Sequence, residues 1–143
     1  MTSDTNKTLV RHFMERAFNE GDLTIVDAAL TQDGIDHQEP LGVNFATHLK
    51  AAITMLRTAF PDLHFEIHDM LAEGELVAFR STMTGTHRGP FQGLPPTGKP
   101  ISVAHMHFVR MVEGKTSDLW HVWDTAGLMR QLGTSAAPQP QAV

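Results

Sequence analysis

The chain has 143 residues, 41% hydrophobic and 19% charged, with a formal net charge of −5; that is the size of one domain around one core, and no apolar run approaches the roughly 20 residues of a membrane-spanning helix. Its 11 Lys and Arg residues are scattered along an acidic chain and form no basic stripe to neutralise phosphates, which argues against a nucleic-acid partner. Cysteine is absent, so disulfides, thiol nucleophiles and Cys-based metal sites are excluded, and residues 1–7 lack the apolar stretch of a secretory signal, so a cytoplasmic protein is expected.

Leu9, Val10, Phe13, Met14, Ala17 and Phe18 recur at helical spacing before Gly21, predicting an amphipathic first helix that ends near residue 20. Asp22 suits the N-cap of a second, shorter helix with Leu23, Val26, Ala29 and Leu30 on one side, closed by Asp33 and Gly34. Residues 35–39 precede Pro40 and form a candidate short strand, because a residue before proline is pushed toward extended geometry. A third helix over residues 44–60 carries Phe45, Leu49, Ala52, Ile53, Leu56 and Phe60 as a broad apolar face.

Beyond residue 62 the period becomes alternating, and strands are expected over 63–72, 75–85, 100–112 and 115–123, with hairpins at Glu73-Gly74 and Glu113-Gly114. Residues 87–98 are dense in turn formers and form a rim loop containing Phe91. Asp124 caps a last short helix that Gly133 stops, and residues 134–143 read as a disordered tail beyond a 1–133 domain. Three helices followed by strands make a segregated α+β arrangement. An antiparallel sheet curled around the third helix would enclose a pocket on its concave side and leave its convex side to a second subunit, so a homodimer is expected.

Nine histidines stand out, several inside apolar strands. In the strand 101–112, His105 and His107 share a face with Ile101, Val103, Val109 and Met111. A two-residue loop at Glu113-Gly114 requires positive φ at Glu113, which favours other residues. The three-residue loop 112–114 is preferred, and its register sets His105 opposite His121 and His107 opposite Leu119, with Trp123 on the same face. A single histidine on a half-buried strand is ordinarily a hydrogen-bonded core residue. Three converging imidazoles in an apolar wall point instead to a ligand or a proton-transfer step that uses them. His37 and Arg80 are further candidates for the pocket, each with a surface position as the alternative, and His12, His48, His64, His68 and His87 receive no role.

The segment from Gly93 to Pro100, the long strand after it, Val112 to Lys115, Leu119 to Asp124 and Gln131 to Gly133, together with Phe18 to Asp22 after the first helix, resemble the SnoaL-like cyclases of the nuclear transport factor 2-like superfamily. The resemblance spans most of residues 5–133. It implies a closed cone, a homodimer or homotetramer, and ring closure of a polyketide-like, small apolar carbonyl compound by intramolecular aldol condensation, with no cofactor and no metal. It also implies that an acid on the final strand moves the proton. That position is His121 here, a departure, while His107 and His105 match the preceding strand's pocket residues and Asp124 matches a second acidic position.

The expected site is therefore His121 as base, His107 and His105 polarising or protonating oxygen, and Asp124 orienting them, with His37, Trp120, Trp123, Phe91 and Arg80 around the substrate. Hydroxylases, dehydratases and other ring-forming relatives are alternatives within the resemblance. Outside it stand a zinc enzyme using His105, His107 and His121 and a non-catalytic binding module.

Overall fold

In the computed structural model, which describes residues 1–40 and 42–134, Thr2 accepts the Thr5 N–H and starts α1 (Ser3–Phe13). The helix runs on as a π-helical stretch, Met14–Asn19, in which Glu20 N–H reaches back to the Glu15 carbonyl. The wider turn keeps Met14, Ala17 and Phe18 buried. The first helix thus ends where its apolar spacing ends, near residue 20. Of the tail expected after Gly133, residues 135–143 lie outside the described residues.

The second helix is shorter than its pattern suggests. Asp22 accepts the Thr24 N–H ahead of a 3-10 turn, Leu23–Ile25, and α2 (Val26–Ala29) gives way at Leu30 to β1 (Leu30–Asp36). Leu30 and Gly34 are therefore strand residues, and the short strand expected over 35–39 begins five residues earlier. β1 pairs in parallel with the last strand of the chain. That long-range ladder overrides the local helical pattern.

Asn44 caps α3 (Phe45–Ala59), whose buried positions Phe45, Leu49, Ala52, Ile53 and Leu56 are those of the expected apolar face. Four strands follow: β2 (His64–Glu73), β3 (Leu76–Thr86), β4 (Pro100–Val112) and β5 (Lys115–Trp123). Asp124 caps α4 (Thr125–Gln131). One curled sheet in the order β1-β5-β4-β3-β2 results, antiparallel except at β1. The helices pack on its inner face, where Val77, Phe79, Met83, Ile101, Val103, Val109 and Leu119 form the core with α1 and α3.

The β4–β5 turn sets the register of the site. Val112 pairs with Lys115, so the loop has two residues, Glu113 (φ 49°) and Gly114 (φ 81°), both left-handed; the three-residue loop expected from the cost of that geometry does not form. An uninterrupted ladder from this turn would set His121 opposite Met106, on the outer face. Instead the pairing slips by one residue between Arg110 and Met111, leaving Ser117 without a partner across the ladder. Beyond this bulge His107 faces His121 and His105 faces Trp123. The expected pairing was therefore two residues out, which preserves the face: His105, His107 and His121 all point inward.

Glu113 carries the cost of the turn, since the left-handed region disfavours a residue with a Cβ by about 1–2 kcal/mol. Asparagine tolerates it better. Glu113→Asn is expected to raise the midpoint of thermal unfolding by roughly 2–4 °C, measured by circular dichroism.

Candidate active site

Alternation along β4 brings His105 and His107 to the inner face two residues apart, with ring centroids 4.1 Å apart and planes 21° from parallel. The stack continues to Phe79, 4.4 Å from His107 at 6°, and on the other side to Trp123, 5.6 Å from His105. Phe65 packs across both imidazoles. From β5, His121 places Nδ1 3.2 Å from His105 Nε2. All three histidines are buried, and His105 Nδ1 and His107 Nδ1 have no hydrogen-bond partner. Leaving such an atom unpaired in an apolar wall costs about 1–3 kcal/mol.

The acid beside this cluster is Asp36. It ends β1, where alternation buries Gly34 and Asp36, and its Oδ2 lies 3.4 Å from His121 Nε2 and 3.0 Å from His48 Nε2. Its Oδ1 accepts the Gln38 N–H at 3.0 Å, and Gln38 Oε1 accepts the His121 N–H at 3.1 Å. Burial pushes the Asp36 carboxyl up, but the neighbouring His121 and His48 imidazoles and the Gln38 backbone N–H outweigh it and hold the group well below the ordinary carboxylate range. The hydrogen bond to Asp36 raises His48, against the opposing effect of burial and with help from Glu39.

His105 and His107 are shifted the other way. Burial, and then the neighbouring His121, lowers His105 to about 3. Burial, with His105 and His121 beside it, lowers His107 as well. Both are neutral imidazoles at pH 7, able to donate one N–H and accept at the other nitrogen.

Between the inner face and the helices lies a cavity of about 240 Å³, walled by Leu9, Phe13, Phe18, Leu49 and Phe79 among others. His107 forms part of its wall, while His105 and His121 lie behind it. The wall is mainly apolar, as small-molecule sites are, with a polar group at one point.

The other expected site residues divide. Trp123 joins the stack. Phe91 is buried against Phe60 and Trp123 as core. Trp120 and Arg80 fall on the outer face by the same alternation: Arg80 pairs with Asp69, and Trp120 stacks on His37 at 4.4 Å. His37 is itself outside the cavity, with Nε2 2.9 Å from Asp118 Oδ1. Asp124 is exposed, and its Oδ1 accepts the Gly127 N–H at the start of α4. The structure supplies Asp36 and His48 instead. His87 is also buried, its Nδ1 accepting the Thr97 N–H to pin the 87–98 loop.

A family model described as SnoaL-like polyketide cyclase matches residues 8–132. The chain belongs to the SnoaL-like polyketide cyclase family. Over 131 residues it is 32% identical to aklanonic acid methyl ester cyclase DauD of Streptomyces sp. (strain C5), covering 87% of this chain and 80% of that one. Over 84 residues it is 36% identical to aklanonic acid methyl ester cyclase DnrD of Streptomyces peucetius, an alignment that spans 58% of either protein. The solved structure of TsrD from Streptomyces laurentii superposes with a TM-score of 0.84 at 28% identity, over 93% of this chain and 98% of that one. The expected α+β cone and family are thereby established, and the family is one of enzymes of polyketide biosynthesis.

The lowered histidines give the fold a pH dependence. Unfolded, His105 and His107 take up protons near their ordinary value of about 6.5; folded, His105 does so only near 3. Their stability is therefore complete above about 6.5 and falls as pH drops. The contribution of His48 has the opposite sign: being raised in the folded state, it is complete below 6.5 and lost as pH rises through the folded value. Urea unfolding at pH 5 is expected to show a loss of about 2 kcal/mol from His105 relative to pH 7, with a smaller pH difference in His105→Gln.

Proposed function

We propose that this chain is a cofactor-free cyclase that closes a ring of a polyketide-like carbonyl compound by an aldol-type step. The supporting observation is the buried series Asp36–His121–His105 beside a cavity whose wall presents His107. The Asp36 carboxylate, 3.4 Å from His121 Nε2, favours the tautomer with the proton on that nitrogen, leaving the Nδ1 lone pair toward His105 Nε2. Substrate seated past His107 presents the carbon next to its carbonyl to His105 Nδ1, which takes the proton while its Nε2 proton passes to His121. There the Asp36 carboxylate balances the imidazolium. His105, with its basicity depressed, conducts the proton and does not store it.

The enolate left behind is hydrogen-bonded by neutral His107, whose N–H stabilises the developing charge at the low-dielectric wall. Its carbon forms the new bond to a second carbonyl of the same molecule. The resulting alkoxide then takes the proton back along the same path. Reactant and product are isomers, so the step consumes no oxidant, reductant or cofactor. A histidine at the base position leaves a cation next to the enolate, whereas a carboxylate would be neutral after taking the proton.

The test uses aklanonic acid methyl ester, the compound named in the two curated relatives, and shorter polyketide esters. Loss of His121 (His121→Ala) or of the Asp36 charge (Asp36→Asn) is expected to lower kcat by roughly 10²–10⁴-fold, with ligand affinity within about threefold. Full turnover in His121→Ala would remove the assignment. Tight binding with no product from the unaltered protein would identify a carrier in place of an enzyme.

The enzyme acts in the cytoplasm as a homodimer, or a homotetramer built from two such dimers, joined through the outer sheet face. Met106 (54% exposed), Phe108 (42%), Val122 (55%) and Leu71 (73%) support this reading, since an apolar patch of this kind is unusual on a monomer. Val122→Glu combined with Met106→Glu is expected to yield a monomer by sedimentation; an unchanged sedimentation coefficient would refute this interface.

A further inference from the structure

His121 is not the only group drawn to Asp36. His48 Nε2, from the first turns of α3, lies 3.0 Å from Asp36 Oδ2 and 3.5 Å from Glu39 Oε1. The three donor atoms lie within 4.8 Å of one another. They come from the end of β1, the turn that follows it and α3, so the chain returns to one point after three structurally distinct segments. Glu39 Oε1 is buried without a hydrogen bond. Asp36 is fixed in direction by the Gln38 N–H at Oδ1, which turns Oδ2 toward His48.

An independent observation comes from the other side of the same carboxylate. His121, with its side chain 3% exposed, directs Nε2 at Asp36 Oδ2 from 3.4 Å, and the geometry does not meet that of a hydrogen bond. Within the group of Asp36, Glu39 and His48, the separations of 3.0 and 3.5 Å suit donor atoms around one ion. Four ligands at the 2.0–2.2 Å typical of zinc bound by nitrogen and oxygen stand roughly 3.3–3.6 Å apart at the corners of a tetrahedron. Two carboxylates with an imidazole also suit the charge of a divalent cation of borderline softness. A void of about 60 Å³, bounded by Pro40, Gly42, Val43 and Phe45, adjoins the group and leaves room for an ion and a water.

We propose that Asp36, Glu39 and His48 bind one divalent transition-metal ion of the zinc type. The three inner-face histidines do not make this site among themselves. His105 and His107 are stacked ring on ring, and His105 is hydrogen-bonded to His121, so their nitrogens do not converge. The ion ties β1 and its following turn to α3. Because it shares Asp36 with His121, loading the site changes the environment of the proposed base. Binding itself is independent of the ring-closing reaction.

The experiment is equilibrium dialysis of the full chain, stripped with EDTA, against zinc sulfate, followed by metal analysis and titration calorimetry. One zinc per chain is expected, with a rise in the midpoint of thermal unfolding. His48→Gln and Glu39→Gln are each expected to weaken binding at least tenfold with the far-ultraviolet circular dichroism unchanged, while His107→Gln binds as the unaltered protein does. Cobalt(II) in the unaltered protein provides a readout that needs no variant: intense visible bands of a four- or five-coordinate ion are expected. Absence of stoichiometric binding, unchanged affinity in both His48→Gln and Glu39→Gln, loss of binding in His107→Gln, or the weak bands of six-coordinate cobalt would each overturn the proposal.

Discussion

Side chains alternate across a strand, so the position of His121 depends on one residue left unopposed at Ser117. The two-residue turn at Glu113 and Gly114 would otherwise carry every inward residue of β5 to the solvent side. Leu119, His121 and Trp123 would then lie outside, and the core would lose two large apolar side chains along with the third imidazole. A bulge and a left-handed glutamate are local costs of about a kilocalorie or two. They are offset by the burial of one whole strand face at roughly 25 cal/mol per Å² of apolar surface.

The electrostatics follow from that placement. Burial alone would discharge every group in the cluster. The Asp36 carboxylate escapes because it lies against the His121 and His48 imidazoles and accepts a backbone N–H from Gln38. The two imidazoles of β4 have no such partner and stay neutral. A fixed negative charge at one end and neutral donors at the other make a polarised line of groups, and an apolar cavity lies beside its neutral end. The acid on the final strand, Asp118, pairs with His37 and Arg110, and the carboxylate that reaches the imidazoles comes from β1 on the neighbouring edge.

Much of this was legible in the sequence, for physical reasons. Period-two alternation is local, so β2 to β5 and the shared face of His105 and His107 could be read directly. The apolar face of α3 was equally plain. Alternation also holds the answer for Arg80 and Trp120, since Leu119, His121 and Trp123 cannot face inward together with Trp120. Asp124 has two readings, helix cap and site acid, and its carboxylate is found capping α4. The first five residues of β1 were hidden because their partner strand is about 80 residues away in the chain, and a parallel ladder leaves no trace in local spacing. Asp36 and His48 were hidden for the same reason, although the burial of Gly34 and Asp36 two apart is a weak strand signature.

The cavity has a floor of sheet and a roof of helix, and the two are built by different rules. Strand register fixes the floor to within a fraction of a residue, because every inward position there is locked by neighbours on both sides. The roof, where Leu9, Phe13 and Met14 meet the void, hangs on a helix that already accommodates one widened turn. Shape selection and proton handling are therefore carried by separable parts of the chain. Diversification can proceed along α1, altering which carbon skeletons fit, while the carboxylate and the imidazoles beneath keep their alignment.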